Sequence, residues 1–321
     1  MATTSCTVAG CKLCSGRPGI EHRPARWTPR SHPASDVDVT RSGVRSFADV
    51  TDVVETSSTT FVANLDPMWG FEDHPNGGYL QALMSRAALR ASGRRDVIAM
   101  NTSFLSSPRA GAVTIETEVL RRSPSTTQMR ARLMADDEVR VEALLSLGEL
   151  QEDAPVEWSA STVPVGGPAY DDCERHTPRL DVAPRVPLMH QIDLRIEPAS
   201  LNYYTGRPRG LGELRGWLSL PAGEDFDSVS LVFAADVMPP ATYDIEFGGW
   251  VPTFTMSTYV RSRPAPGPVN IVVNAQLVQG GKANETCTIR DSAGRVVVQS
   301  HQLAGVRLTP GVPGMRRASE E

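Results

Sequence analysis

Lysine is nearly missing from this 321-residue chain: Lys12 and Lys282 stand alone, and every other basic residue is arginine. With 37 acidic against 32 basic residues, a formal net charge of -5 and no dense basic block, nucleic acid and anionic membrane surfaces are poor candidates as partners. The arginine bias reads as the coding composition of a high-GC bacterial genome. No run of about 18 apolar residues occurs, so no helix is expected to span a bilayer. The opening residues lack an apolar h-region, which leads us to expect a cytoplasmic protein. They are also arginine-rich and poor in acid, as in a transit peptide, but prolines break the amphipathic helix such a peptide needs. The cysteines number five, an odd count scattered over a long chain, and this argues against a disulfide scaffold. Two chemical signatures are absent as well: there is no Gly-x-Ser-x-Gly nucleophile elbow and no phosphate-binding P-loop. Gly210-x-Gly212-x-x-x-Gly216 misses the dinucleotide spacing and reads as a turn.

What is present is an ordinary globular composition, 40% hydrophobic and 21% charged, long enough for two domains or one duplicated unit. Residues 1–44 hold Pro18, Pro24, Pro29 and Pro33 without apolar periodicity, the composition of a disordered tail. Within it, Cys6, Cys11, Cys14 and His22 have zinc-ligand chemistry, but their spacing matches no common zinc module, and no metal site is expected. From Thr59 the pattern is strand, then the breaker Asp73-His74-Pro75-Asn76-Gly77-Gly78, then a helix over Tyr79 to Ala91, then four strands at about Val97–Ser106, Ala112–Arg122, Thr126–Ala135 and Glu138–Gly148. Residues 151–187 are rich in proline and glycine and read as a linker. Strands follow at His190–Glu197 and Glu213–Leu220. A second helix is expected over Asp227 to Ala241, then strands at about Thr253–Arg261, Val269–Gln279, Ala283–Arg290 and Arg295–Leu308.

The two halves superpose as sequence. Ser103 to Gly111 resembles Thr258 to Gly267 at an offset of 155 to 156, and Val139-x-Val141 falls on Val296-x-Val298. This favours two copies of one helix-plus-sheet unit: residues 45–150 and 188–309, with 310–321 as a C-terminal tail.

Asp236 is the residue with the most chemistry. It is a lone carboxylate in Leu231-Val232-Phe233-Ala234-Ala235-Asp236-Val237-Met238-Pro239, where burial without a partner is costly, so it must be exposed, paired or used. Gln302 is likewise polar within a strand, and Thr253 opens one. The set His74-Pro75-Asn76-Gly77-Gly78-Tyr79, Leu214-Arg215-Gly216-Trp217, the segment bearing Asp236, and Asp291 to Gln302, taken in order over residues 48–309, resembles the double hot-dog acyl-CoA thioesterases of the thioesterase II type. The resemblance implies an α+β fold of two tandem hot-dog units, each a long helix wrapped by an antiparallel sheet. It implies an acyl-CoA substrate, no cofactor, a role in lipid metabolism, and Asp236 on the second helix acting with Thr253 and Gln302. The family often has an acid just after Thr253 where this chain has Thr255, a departure from the family's pattern in that strand.

Such a set suits direct attack of water on a thioester, with Asp236 as base and Thr253 and Gln302 as positioners. Backbone N–H groups at the helix start, Gly77, Gly78 and Tyr79, would meet the charge that grows on the carbonyl oxygen. Under the repeat offset Asp236 falls on Gln81 and Gln302 on Leu145, so one centre per chain is expected. Two alternatives are a non-catalytic acyl-CoA binder and a hot-dog hydratase. The hydratase lacks its histidine: Asp236-Val237-Met238-Pro239-Pro240 ends in Ala241, and Asp171-x4-His176 lies in the linker. Homo-oligomers are compatible with the fold.

Overall fold

The computed structural model describes residues 45–152, 154–160, 163–177 and 185–308. The Cys6, Cys11, Cys14 and His22 cluster and both expected tails, residues 1–44 and 310–321, lie outside those residues. The chain opens with a short helix α1 (Phe47–Val50) and strands β1 (Val54–Ser57) and β2 (Thr60–Leu65). A small ribbon of β3 (Gly70–Phe71) and β4 (His74–Pro75) leads into the long helix α2 (Gly77–Ser92). Strands β5 (Asp96–Phe104), β6 (Gly111–Arg122), β7 (Thr127–Ala135) and β8 (Glu138–Gly148) complete the first half. The second half has β9 (Glu174–Arg175), β10 (Asp193–Ile196), β11 (Glu213–Ser219), helix α3 (Ser228–Ala234), β12 (Thr253–Val260), β13 (Val269–Gln279), β14 (Lys282–Arg290) and β15 (Val296–Gly305).

Helix α2 forms because its start and stop are both written in sequence. Asn76 caps it by accepting from the Tyr79 N–H at 3.0 Å, and Gly93, at φ 71°, ends it in the left-handed conformation that glycine adopts without strain. Leu80, Ala82, Leu83, Met84, Ala87 and Ala88 are all buried, as befits a helix apolar on most faces and wrapped by sheet. The wrapping strands alternate: Met129, Ala131 and Leu133 of β7 and Val141, Ala143, Leu145 and Leu147 of β8 point inward.

All strands but β3 and β4 join one sheet in the order β1-β2-β6-β7-β8-β5-β12-β15-β14-β13-β11-β10-β9. Read outward from the β5–β12 junction, β8-β7-β6-β2 mirrors β15-β14-β13-β11, so the fold is a double hot-dog. The junction has a local two-fold axis. Asn101 pairs with Ser257, while Met100 pairs with Thr258 and Thr102 with Met256. Each residue therefore faces its neighbour's counterpart at an offset of about 156, the spacing expected from sequence.

Two elements differ from expectation. Helix α3 stops at Ala234, so Asp236 lies in the turn beyond it and not on the helix; Pro239 and Pro240 forbid continuation, since a proline ring clashes with the preceding turn and pushes the residue before it out of helical φ/ψ. His190 ends a short 3₁₀ turn, and the strand there is only Asp193–Ile196. Within the proline-rich stretch, β9 pairs with β10, the Trp217 indole N–H donates to Pro168 O at 2.8 Å, and the Gly167 N–H donates to the Asn270 side chain at 3.0 Å. Part of that stretch is therefore fastened to the second half of the sheet. Among the described residues no helix is long and apolar enough to cross a membrane.

Candidate active site

The start of α2 and the end of α3 meet end to side, and the glycines permit it. A Cβ on Gly78 would stand 2.6 Å from Phe233 O, and one on Gly77 would stand 2.7 Å from an Asp236 carboxylate oxygen. With both side chains absent, the Gly78 N–H donates to Asp236 Oδ2 at 2.9 Å. Asn76, while capping α2 with its Oδ1, turns its Nδ2 to Asp236 O at 2.8 Å and to Oδ2 at 3.4 Å. Asp236 belongs to one repeat and the groups that hold it belong to the other.

Burial pushes the Asp236 carboxyl up from 3.8 to about 7, the Gly78 hydrogen bond opposes this, and the nearby Glu285 carboxylate adds to it. A carboxylate poised near neutrality is suited to take a proton from water.

Asp236 lines a cavity of about 360 Å³ together with Thr253, Gln302 and Glu285. The Thr253 hydroxyl donates to Gln302 Oε1 at 3.0 Å, and Gln302 Nε2 donates to Glu285 Oε2 at 2.8 Å. A bulge aims Thr253: it pairs with Ala304 while Thr255 pairs with Leu303, leaving Phe254 as the extra residue. Glu285 is almost fully buried, its other carboxylate oxygen accepts from the Thr242 N–H at 3.3 Å, and burial raises its pKa.

Sequence reasoning brought Asp236, Thr253, Gln302 and Gly77 to this cavity and missed Asn76 and Glu285. Glu285 had left a signal. It sits at the inward parity of β14, in Ala283-x-Glu285-x-Cys287-x-Ile289, where the other positions are apolar. Two expectations are corrected. Gly78 spends its N–H on Asp236, so it has none to offer a carbonyl oxygen. Tyr79 does not reach the cavity: its N–H goes to Asn76, its hydroxyl donates to Val50 O at 3.0 Å, and its ring packs on Trp69 in the core. The Gly77 N–H, at the first position of α2, has no hydrogen-bond partner among the described residues.

The first half has no matching polar row. Met256, Gln302 and Glu285 pair laterally in the second half; Met100, Leu145 and Met129 pair the same way in the first. Ala241 is buried at the head of a 3₁₀ turn and supplies no base. Among the described residues no cluster of metal-ligating side chains occurs, and Cys173 and Cys287 are free, buried thiols with pKa values pushed up to about 11 and 12.

Residues 65–148 match the acyl-CoA thioesterase N-terminal domain and residues 170–306 the acyl-CoA thioesterase C-terminal domain. An uncharacterized protein of Mycobacterium tuberculosis is 26% identical over 267 residues, covering 77% of this chain and 90% of its own. A Thermobifida fusca protein, provisionally named thioesterase II, superposes with a TM-score of 0.74 at 26% identity, covering 82% of this chain and 97% of that one. An acyl-CoA thioesterase II from Mycobacterium marinum shares the fold at a TM-score of 0.58 and 16% identity, over 83% and 98% of the two chains.

Proposed function

We propose, from the premise that the chain belongs to the acyl-CoA thioesterase family, that it hydrolyses acyl-CoA to free acid and CoA at the cavity between its two repeats. The observation that carries this reading is Asp236: a half-buried carboxyl whose pKa desolvation pushes up to about 7, held from the first repeat and set in one cavity with the Thr253, Gln302 and Glu285 chain.

In the step we infer, Asp236 accepts a proton from water as the water oxygen bonds to the thioester carbonyl carbon. Thr253 and Gln302 fix that water. The Thr253 hydroxyl hydrogen is given to Gln302, which leaves its oxygen lone pairs free to accept from water, and the Gln302 amide keeps its second N–H. Glu285, by holding Gln302 Nε2, prevents the amide from flipping. The oxyanion forms near the Gly77 N–H, an unused donor at the positive end of a 16-residue helix. When the tetrahedral species collapses, the C–S bond breaks, the electron pair leaves with sulfur, and the proton held by Asp236 returns to the departing thiolate. No acyl-enzyme is formed.

Thiol release from a panel of acyl-CoAs tests this. Wild-type protein should liberate CoA and free acid in equal amounts, and Asp236→Asn should lose about 10² to 10⁴ in turnover. Binding of acyl-CoA with no CoA released from any of the panel would identify a carrier, and a change in acyl saturation with the thioester intact would identify a hydratase.

A further inference from the structure

Behind Asp236 and Gln302 lies a small, enclosed chamber of about 20 Å³, enough for one water molecule, which needs about 10–15 Å³. Its floor is the inner face of three neighbouring strands. Cys287 of β14 pairs with Val273 of β13 on one side and with Ser300 of β15 on the other, and Glu285 pairs with Gln302 beside them. Ser300 shares the inward parity of Gln302 and Ala304, while His301 and Leu303 between them face out. The roof is the turn over residues 235–239 that follows α3. Asp236, Glu285 and Gln302 border both this chamber and the main cavity, so they form the partition between the two.

Three polar groups of the chamber have hydrogen-bonding capacity to spare. Ser300 is 2% exposed, and its hydroxyl bonds to no nitrogen or oxygen among the described residues; its polar neighbour is the Cys287 thiol, a weak partner. Asp236 receives the Gly78 and Asn76 donors on Oδ2, and its Oδ1 takes none among the described residues. Glu285 accepts from the Thr242 N–H on one oxygen and from Gln302 Nε2 on the other, which leaves lone pairs over. A water molecule matches this set, with two hydrogens for two carboxylates and a lone pair for a hydroxyl. We propose that the chamber binds a structural water held by Ser300, Asp236 and Glu285, and that Ser300 is through it a positioning residue for the base of the thioesterase reading given above, on which the inference rests. The water separates two like charges and donates to the ionised form of Asp236, so it lowers a proton affinity that burial and Glu285 raise. The other titratable groups facing Asp236 are Cys287 and Tyr243, both with pKa pushed up to about 12, His176, lowered to about 4 by burial, and His74 across the main cavity; α2 brings Gly77 and Gly78, which do not titrate.

Crystallography and titration of the full-length protein provide the test. A crystal structure of the wild type that shows ordered water should place one within hydrogen-bond distance of Ser300 Oγ and of both carboxylates. In Ser300→Val, whose added methyl takes up that space, the water should be displaced. The Asp236 carboxyl, followed by NMR, and the acid limb of the pH–rate profile should then both move up by about one pH unit, the worth of one lost hydrogen bond to a charged group. At pH 7 kcat should fall about five- to tenfold with KM within about twofold, since the substrate is not touched. Ser300→Ala removes the hydroxyl and leaves room for the water, so it should move the same titration upward by less; it supplies the comparison if the valine variant does not fold. A wild-type chamber without ordered water, or an Asp236 titration that fails to move upward in the Ser300 variants, overturns the proposal. If no thioester is cleaved, the hydrolase reading fails on its own, while the bound water and the carboxyl titration still decide the role of Ser300.

Discussion

Substituting Asp236 by asparagine should make the protein less active and also more stable, the gain in stability following from one number. The carboxyl rises from an ordinary 3.8 to about 7 on folding. At about 1.4 kcal/mol per pKa unit, this corresponds to about 4 kcal/mol by which the ionised group disfavours the folded state. Below pH 3.8 the acid is neutral in both folded and unfolded chains, so stability is unaffected. Between pH 3.8 and 7 the unfolded chain releases the proton and the folded chain retains it, and stability declines; above 7 the full penalty applies. Asp236→Asn keeps an oxygen for the Gly78 and Asn76 donors and carries no charge. At pH 8.5 it should melt about 5–8 °C above wild type, with the gap closing near pH 4. Melting curves at both pH values, set beside thiol-release rates, make the measurement. A pH-independent difference in melting would refute the account of a buried, titrating carboxyl, and near wild-type turnover would refute its role as base.

Glu285→Gln removes the like charge beside Asp236, so the acid limb of the pH–rate profile should move to lower pH while kcat falls only modestly. Glu285→Leu should cost more in kcat, because Gln302 Nε2 loses its anchor; equal effects of the two variants would argue against an orienting role. Gly78→Ala should lower stability by roughly 1–3 kcal/mol through the close approach to Phe233 O, seen as a fall in melting temperature. Gln81→Ala, in the first half, should leave turnover near wild type; an inactive protein would mean that the active half has been misassigned. Removing residues 1–44 should preserve folding and activity with or without zinc, whereas a chain lacking Phe47 as well should be destabilised by about 3–5 kcal/mol, since that ring is buried against Trp69 and Phe233.

The repeat was readable because strand alternation and turn residues are local signals. The offset of 155 to 156 found between Ser103–Gly111 and Thr258–Gly267 includes the 156 that the Asn101–Ser257 pairing displays in three dimensions. Asp236 was visible as a carboxylate in an apolar run, whereas Thr253 and Gln302 owed their place in the candidate site to the family resemblance. The end of α3 was not placed correctly, because the apolar run continues past Ala234 and only Pro239-Pro240 contradicts it. Asn76 could be recognised as part of a breaker motif, but its hold on Asp236 spans 160 residues and has no local trace. His176 was noticed for its spacing from Asp171 and set aside with its proline-rich surroundings. It follows directly on β9, whose pairing with β10 is a two-residue ladder too short to announce itself.

The two-fold axis at Asn101 and Ser257 bears on how such a site arises. In a dimer of identical single units, every substitution would appear twice, and a cavity built from both copies would have to be catalytic on both sides or on neither. Joining the copies in one chain lifts that constraint. The row Met100, Leu145 and Met129 can serve packing alone, while its counterpart Met256, Gln302 and Glu285 carries buried polar groups that a core would otherwise reject. The apolar half can then supply packing while the polar half supplies chemistry, a division of labour closed to a dimer of identical chains.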